Sequence, residues 1–252
     1  MKKMLFFIMG LIVFSSSHAQ EKKFWLDFEV EQTFGLNQWF DNEDINKGLR
    51  KNRTTDLKSR INFLISRNIG VYSDLSISLY SYNKDYKSAN YLNEFDLNSY
   101  YLSSDYFSES DDNPGAKLTI GAFYKFRFKK FDLVPHLGFG LEDLYVPSAS
   151  YTVKEHNSNA MYNVRYIWLP DDDNFVSDKN IITALQLTSS YKLTNTTSLT
   201  LGINYRLRLT KPKFKAVTTD YYDGSVVDEI EIKGKNMHSL GISLGVSFGW
   251  GK

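Results

Sequence analysis

The feature that most constrains this chain is a period of two. After residue 20, apolar and polar residues alternate in eight separate runs, and no stretch sustains the period of a helix. In the first run Phe24, Leu26, Phe28 and Val30 stand on one face, against Trp25, Asp27, Glu29 and Glu31 on the other. The remaining runs pass through Leu57–Ile65, Val71–Leu79, Lys117–Arg127, Leu133–Glu142, Leu185–Leu193, Leu199–Leu209 and Ser239–Trp250. Each is close to the ~9–11 residues with which a tilted strand crosses a hydrocarbon layer. The connections alternate in length. Tight turns fall near Arg67–Gly70, Lys129–Asp132 and Thr194–Thr197, whereas long polar segments fall at 37–54, 83–115, 146–180 and 210–236. This rhythm predicts an all-β fold: an antiparallel up-and-down transmembrane β-barrel of eight strands, with ten as the alternative count. Strand-like pieces within the long segments include Tyr151–Lys154, Val164–Trp168, Phe214–Thr218 and Val226–Ile232. The last two flank Tyr222-Asp223-Gly224 and are expected to prolong the seventh and eighth strands.

Alternation alone does not say which face looks outward; volume decides. An eight-stranded barrel has an interior only just wide enough to be filled by side chains. One face carries large residues on every run, while the other is rich in serine and glycine, including Gly138, Gly140, Gly202, Gly241, Gly245 and Gly249. Glycine weakens a water-facing strand for no gain but suits a crowded lumen, so the apolar face is expected to meet lipid. The lumen then holds Asp27, Glu29 and Glu31 beside Lys58 and Arg60. Arg206 and Arg208 are expected to reach over the small eighth strand toward the same carboxylates. Buried charges must be paired. They form either a structural plug of ion pairs or a gate whose pairs rearrange to pass ions or water. His136 is expected in the same network, near Glu142. Pro135 interrupts the fifth run with no evident reason.

Composition agrees. Among 252 residues, 15% are aromatic, yet the mean hydropathy is −0.37, which excludes a bundle of membrane-spanning helices and nothing more. With no cysteine there is no disulfide, and a formal charge of +1 gives no basic field for nucleic acid. At the N-terminus Lys2 and Lys3 precede an apolar run of eleven residues, Met4–Phe14, then Ser17 and Ala19. This predicts a cleaved signal peptide over residues 1–19 and an exported barrel domain over 20–252. Aromatic belts are expected at both lipid headgroup levels. Trp25, Phe128, Phe131, Phe248 and Trp250 mark the turn side, and Phe34, Trp39, Phe40, Tyr80, Tyr82 and Tyr145 the loop side.

The final run reads Ser243, Gly245, Phe248 and Trp250 at spacings that resemble the terminal assembly signal of outer-membrane barrels. It departs from that pattern by carrying Gly251 and Lys252 after the last aromatic. The stretch from Gly121 to Gly140 likewise resembles the small "porin-like" outer-membrane β-barrel proteins of diderm bacteria. That resemblance implies an integral outer-membrane location, recognition by the barrel-assembly machinery, and contact with outer-membrane lipids and lipopolysaccharide. It carries over no functional residue.

Catalytic chemistry is sparse. His238 and Ser239 resemble the pair used by outer-membrane lipid A deacylases, but they are adjacent and point to opposite faces of a strand. Asp111-Asp112 and Asp171-Asp172-Asp173 read as solvated loop acids. No serine-hydrolase elbow, phosphate-binding glycine loop or metal-ligand spacing is present, so no cofactor or metal is expected. The expectation is a monomeric, non-enzymatic protein with both termini in the periplasm. Its long loops would serve a structural role or meet an extracellular ligand. A narrow gated pore and a lipid-modifying enzyme are the alternatives.

Overall fold

The computed structural model describes residues 23–37, 53–81, 99–107, 115–143, 149–168, 179–211 and 213–250. The signal peptide expected at 1–19 lies outside them, as do Asp111-Asp112, Asp171–Asp173, Trp39, Phe40, Tyr82 and Tyr145.

The eight alternating runs close on themselves. β1 (Phe24–Gly35) pairs antiparallel with β2 (Arg53–Leu64), which pairs with β3 (Ile69–Ser81). β3 pairs with β5 (Gly115–Tyr124), and β5 with β7 (Phe131–Asp143). β10 (Lys179–Lys192) and β11 (Thr197–Arg208) follow, and β14 (Met237–Trp250) joins β11 back to β1. Each strand of the ring thus has a partner on both sides, which is what a hydrocarbon environment demands of a sheet. The barrel has eight strands, not ten. β5 stops at Tyr124 and resumes along β7 as the two-residue β6 (Phe126–Arg127). The break falls opposite Pro135, which has no N–H to donate to the ladder, so the proline left unexplained by the pattern marks the interruption.

Burial alternates as the residues do. Each strand turns apolar side chains outward: Phe28 and Val30, Leu57 and Ile61, Leu75 and Ile77, Leu118 and Ile120, Leu137 and Phe139, Leu185 and Leu187, Leu201 and Ile203, Ile242 and Leu244 are all exposed. Their polar neighbours, from Asp27 to Ser247, are buried inside. An inverted arrangement, with bare leucine and isoleucine outside and charge within, is unstable in water and is what lipid selects.

The remaining strands build a second sheet at the loop end. β4 (Tyr100–Phe107), β8 (Ala149–Glu155), β9 (Met161–Trp168), β12 (Lys213–Asp220) and β13 (Val226–Lys233) run in the order β13-β12-β9-β8-β4. They come from three different long connections, stitched together where β8 meets β4 and β12 meets β9. Tyr151, Val153, Val164 and Ala216 are buried in this sheet. β12 and β13 thus do more than prolong β11 and β14: β12 gives its second edge to β9 from another loop. Gly224, at φ +71°, closes their hairpin, and the Ser225 N–H donates to Asp223 Oδ1 at 2.7 Å. The Ser225 hydroxyl first, and then this N–H, hold the exposed Asp223 carboxyl below the usual carboxylate range by hydrogen-bonding its charged form.

Candidate functional site

The lumen is layered. Nearest the turn end, Trp25, Leu64, Tyr72, Phe123 and Val134 form a buried apolar cluster. Trp25 meets Phe123 edge-on with ring centroids 5.2 Å apart, and Tyr72 meets His136 in the same manner at 5.0 Å. Two of these placements correct the sequence reading. Trp25 is 8% exposed and points inward, so it belongs to this floor and not to the lipid-facing aromatic belt. Its position opposite Phe24 and Leu26 in the alternation already put it on the polar face. His136 sits level with Phe123, six residues along β7 from Glu142 and so about 20 Å away, outside the ion-pair network. Glycines admit these rings. A Cβ on Gly138 would lie 2.3 Å from the Tyr72 hydroxyl.

Above the floor the charges interlock. Lys58 Nζ lies 3.0 Å from Glu29 and 2.8 Å from Glu31. Arg60 is fully buried, 3.6 Å from Asp27, 3.6 Å from Glu29 and 3.3 Å from Asp74, and it donates to Gln186 Oε1 at 2.6 Å. Asn62 donates to Asp27 at 2.8 Å. Arg206 reaches past β14 to Glu31 at 2.6 Å and to Asp56 at 3.2 Å. Lys117 links Asp56 at 2.8 Å to Glu142 at 3.3 Å, and Arg208 pairs with Glu142. One chain of contacts therefore runs from Asp27 to Arg208 around the whole interior.

Arg208 is the departure here. It was expected to face the β1 carboxylates, but it stands opposite Met237, two residues nearer the loop end than Arg206. At that height β1 offers no acid, and Glu142 of β7 takes its place. Three members were not singled out from the sequence: Asp56, Asp74 and Lys117. Each lies on the polar parity of its strand, so the alternation itself was the available signal. Among the described residues five cations (Lys58, Arg60, Lys117, Arg206, Arg208) face six carboxylates, and breaking any buried pair costs about 3–5 kcal/mol.

The remaining sequence candidates separate. Ser243, Gly245 and Phe248 lie on β14, the first two turned to the lumen and Phe248 edge-on to Phe28 at 6.3 Å. Trp250 ends the same strand, with its side chain outside the described residues. His238 packs against Tyr205, and neighbouring Ser239 turns to the other face, pairing with Gly35 and Arg206. Phe128 and Phe131 stack at 4.3 Å on the outer surface of the turn end.

No family model and no curated protein matches the chain. Solved structures do. Neisserial surface protein A is 14% identical over 90% of this chain and 97% of its own, with a TM-score of 0.45. The outer membrane protease OmpT of Escherichia coli is 10% identical over 94% and 100%, at 0.40. A major outer membrane protein from Thermus thermophilus is 12% identical over 92% and 100%, at 0.41. Membrane placement rests on this chain's own closed ring, apolar band and buried charge: it is an integral outer-membrane β-barrel.

Proposed function

We propose that the barrel is a non-conducting scaffold that holds a five-stranded platform outside the cell for contact with a ligand or surface. The observation that carries this reading is the second sheet, which draws strands from three separate loops and continues beyond the barrel. Loops that merely close a barrel have no need to pair with one another across long stretches of sequence. The lumen supports the same reading, because an aromatic floor and a continuous ion-pair network leave no wide path for solutes. Catalysis has little support, since His238 and Ser239 diverge across the strand.

In this reading both termini face the periplasm and the protein acts as a monomer. Ser243, Gly245, Phe248 and Trp250 serve as the signal read by the barrel-assembly machinery, after residues 1–19 have directed export and been removed. Outer-membrane phospholipid and lipopolysaccharide surround the apolar band. The test compares cells producing the full chain with cells in which residues 213–233 are replaced by a short Gly-Ser turn. Binding to arrays of glycans and matrix proteins is scored, alongside single-channel recording of the purified protein. Binding that depends on the hairpin, with silent bilayers, is the expected result. Binding unchanged by the replacement, or steady conductance, rejects the proposal.

A further inference from the structure

β13 is the last strand on its side of the loop-end sheet. Among the described residues it pairs with β12 and with no other strand, so one row of its backbone N–H and C=O groups has no ladder partner there. Every residue from Val226 to Glu231 is exposed, with Val226, Val227 and Ile230 among them. Proteins commonly blunt such an edge with proline, lysine or a bulge. β13 has one bulge, at Val227, where the pairing on β12 slips; from Asp228 to Lys233 its register is unbroken. The strand holds no proline, and its one lysine, Lys233, is the final residue.

Charge along this hairpin is uneven. Towards the barrel the acids are answered on β12, where Lys215 lies 2.6 Å from Glu229 and Lys213 3.6 Å from Glu231. Towards the tip they are not. Asp220 accepts the Tyr222 N–H at 2.8 Å, Asp223 the Ser225 N–H and Asp228 the Glu229 N–H at 2.8 Å. These donors are uncharged, and among the described residues none of the three carboxylates is in an ion pair. Between Asp220 and Asp223 the exposed rings of Tyr221 and Tyr222 meet edge-on at 5.5 Å, and their faces attract cations as the carboxylates do.

We propose that the β13 edge takes up an extended segment of another protein as a sixth strand, with lysine or arginine side chains set against Asp228 and the Asp220–Asp223 turn. The inference rests on the platform reading above and names the class of its partner. Main-chain bonds to the edge supply affinity, and the unanswered carboxylates select a basic sequence. A second copy of this chain fits poorly. Antiparallel self-pairing centred on Glu229, on Ile230 or between them sets one acid opposite another, which destabilises a ladder.

The experiment follows fluorescence anisotropy of a labelled, capped peptide of alternating lysine and valine, as long as β13, on the folded full chain in a nonionic maltoside detergent. Saturable one-to-one binding that weakens with added salt is expected. The same peptide methylated at every backbone nitrogen keeps its charge but cannot join a ladder, and should bind at least about tenfold more weakly. Asp228→Lys should weaken the parent peptide about tenfold as well, by reversing charge on the edge. Asp228 is exposed and both lysine–glutamate pairs survive its replacement, so chymotrypsin should cut at Tyr221 and Tyr222 at the parent rate. Equal binding of the methylated peptide, or of the parent peptide by Asp228→Lys, overturns the edge site. Absence of saturable binding also overturns it, and does so even where glycan or matrix binding still depends on residues 213–233, a result that leaves the platform reading standing. Dimers of the parent in detergent that Val226→Lys abolishes would assign the edge to a second copy and overturn the basic partner.

Discussion

Arg206 of β11 and Glu31 of β1 are not on neighbouring strands, yet their side chains meet at 2.6 Å. β14 runs between them, and Ser243 and Gly241 on its inner face leave the gap the guanidinium crosses. The pair is completed by Lys58 and Asn204 on the same carboxylate and by Asp56 on the same guanidinium. Its two halves are therefore worth far less apart than together.

Removing one half should be more damaging than removing both. Glu31→Gln alone leaves Arg206 and Lys58 short of a partner in the dry interior and should cost about 3–5 kcal/mol. Glu31→Leu combined with Arg206→Met removes charge of both signs and should recover part of that loss. The coupling is read from urea unfolding midpoints in lipid vesicles, taken around the full double-mutant cycle. Additive effects would contradict the network.

The glycine opposite the carboxylate should be as sensitive as the carboxylate. A Cβ on Gly241 would lie 2.3 Å from Glu31 Oε1, so Gly241→Val must displace the acid from both of its cations. A loss of about 3 kcal/mol is expected, combining overpacking with a broken pair. Gly224→Ala is the contrasting case. Nothing lies within 4 Å of its Cβ, and the cost there is confined to the positive φ of an exposed turn. The gel-shift temperature of the barrel should fall for the first variant and hold for the second.

How far sequence reaches depends on what imposes the pattern. Lipid imposes the period of two on every spanning strand, so all eight were legible, as were the three tight turns and the charged parity of β1, β2 and β11. Partners across the lumen were less so. Arg206 and Arg208 look alike in the alternation, and only the register of β11 on β14 sends one to Glu31 and the other to Glu142. The second sheet was the least legible part. Its pairings join separate loops, and β4 slips register between Leu102 and Ser104, which destroys its alternation. Trp25 was misplaced because tryptophan suits a headgroup belt as well as it suits a lumen floor.

That floor should govern conduction together with the ion pairs, neither sufficing alone to open a path. Trp25→Ala removes the base of the cluster and should cost about 3–5 kcal/mol, while Arg60 and its three carboxylates still fill the section above. Planar bilayers should stay silent with this variant. Trp25→Ala combined with Arg60→Ser and Asp74→Ser should give discrete openings. Steady current through the parent would show that the floor does not seal.

Because the loop-end sheet has its own hydrogen-bond ladder, it should fail independently of the barrel. Val164 is 1% exposed between Tyr151 of β8 and Thr218 of β12, so Val164→Asp buries an unpaired carboxylate at a cost of several kcal/mol. That loss falls on β8, β9 and β12, none of which pairs with a spanning strand among the described residues. The gel-shift temperature should therefore hold, while protease applied to intact cells should cut the chain near Tyr221–Asp223 at least about tenfold faster, following the opened fraction. Val227→Asp supplies the control. Val227 is 56% exposed on β13, and an aspartate there remains solvated, so cutting should proceed at the parent rate. If Val164→Asp lowered the gel-shift temperature to the same extent as Gly241→Val, sheet and barrel would be one cooperative unit and the platform could not be altered separately from its support.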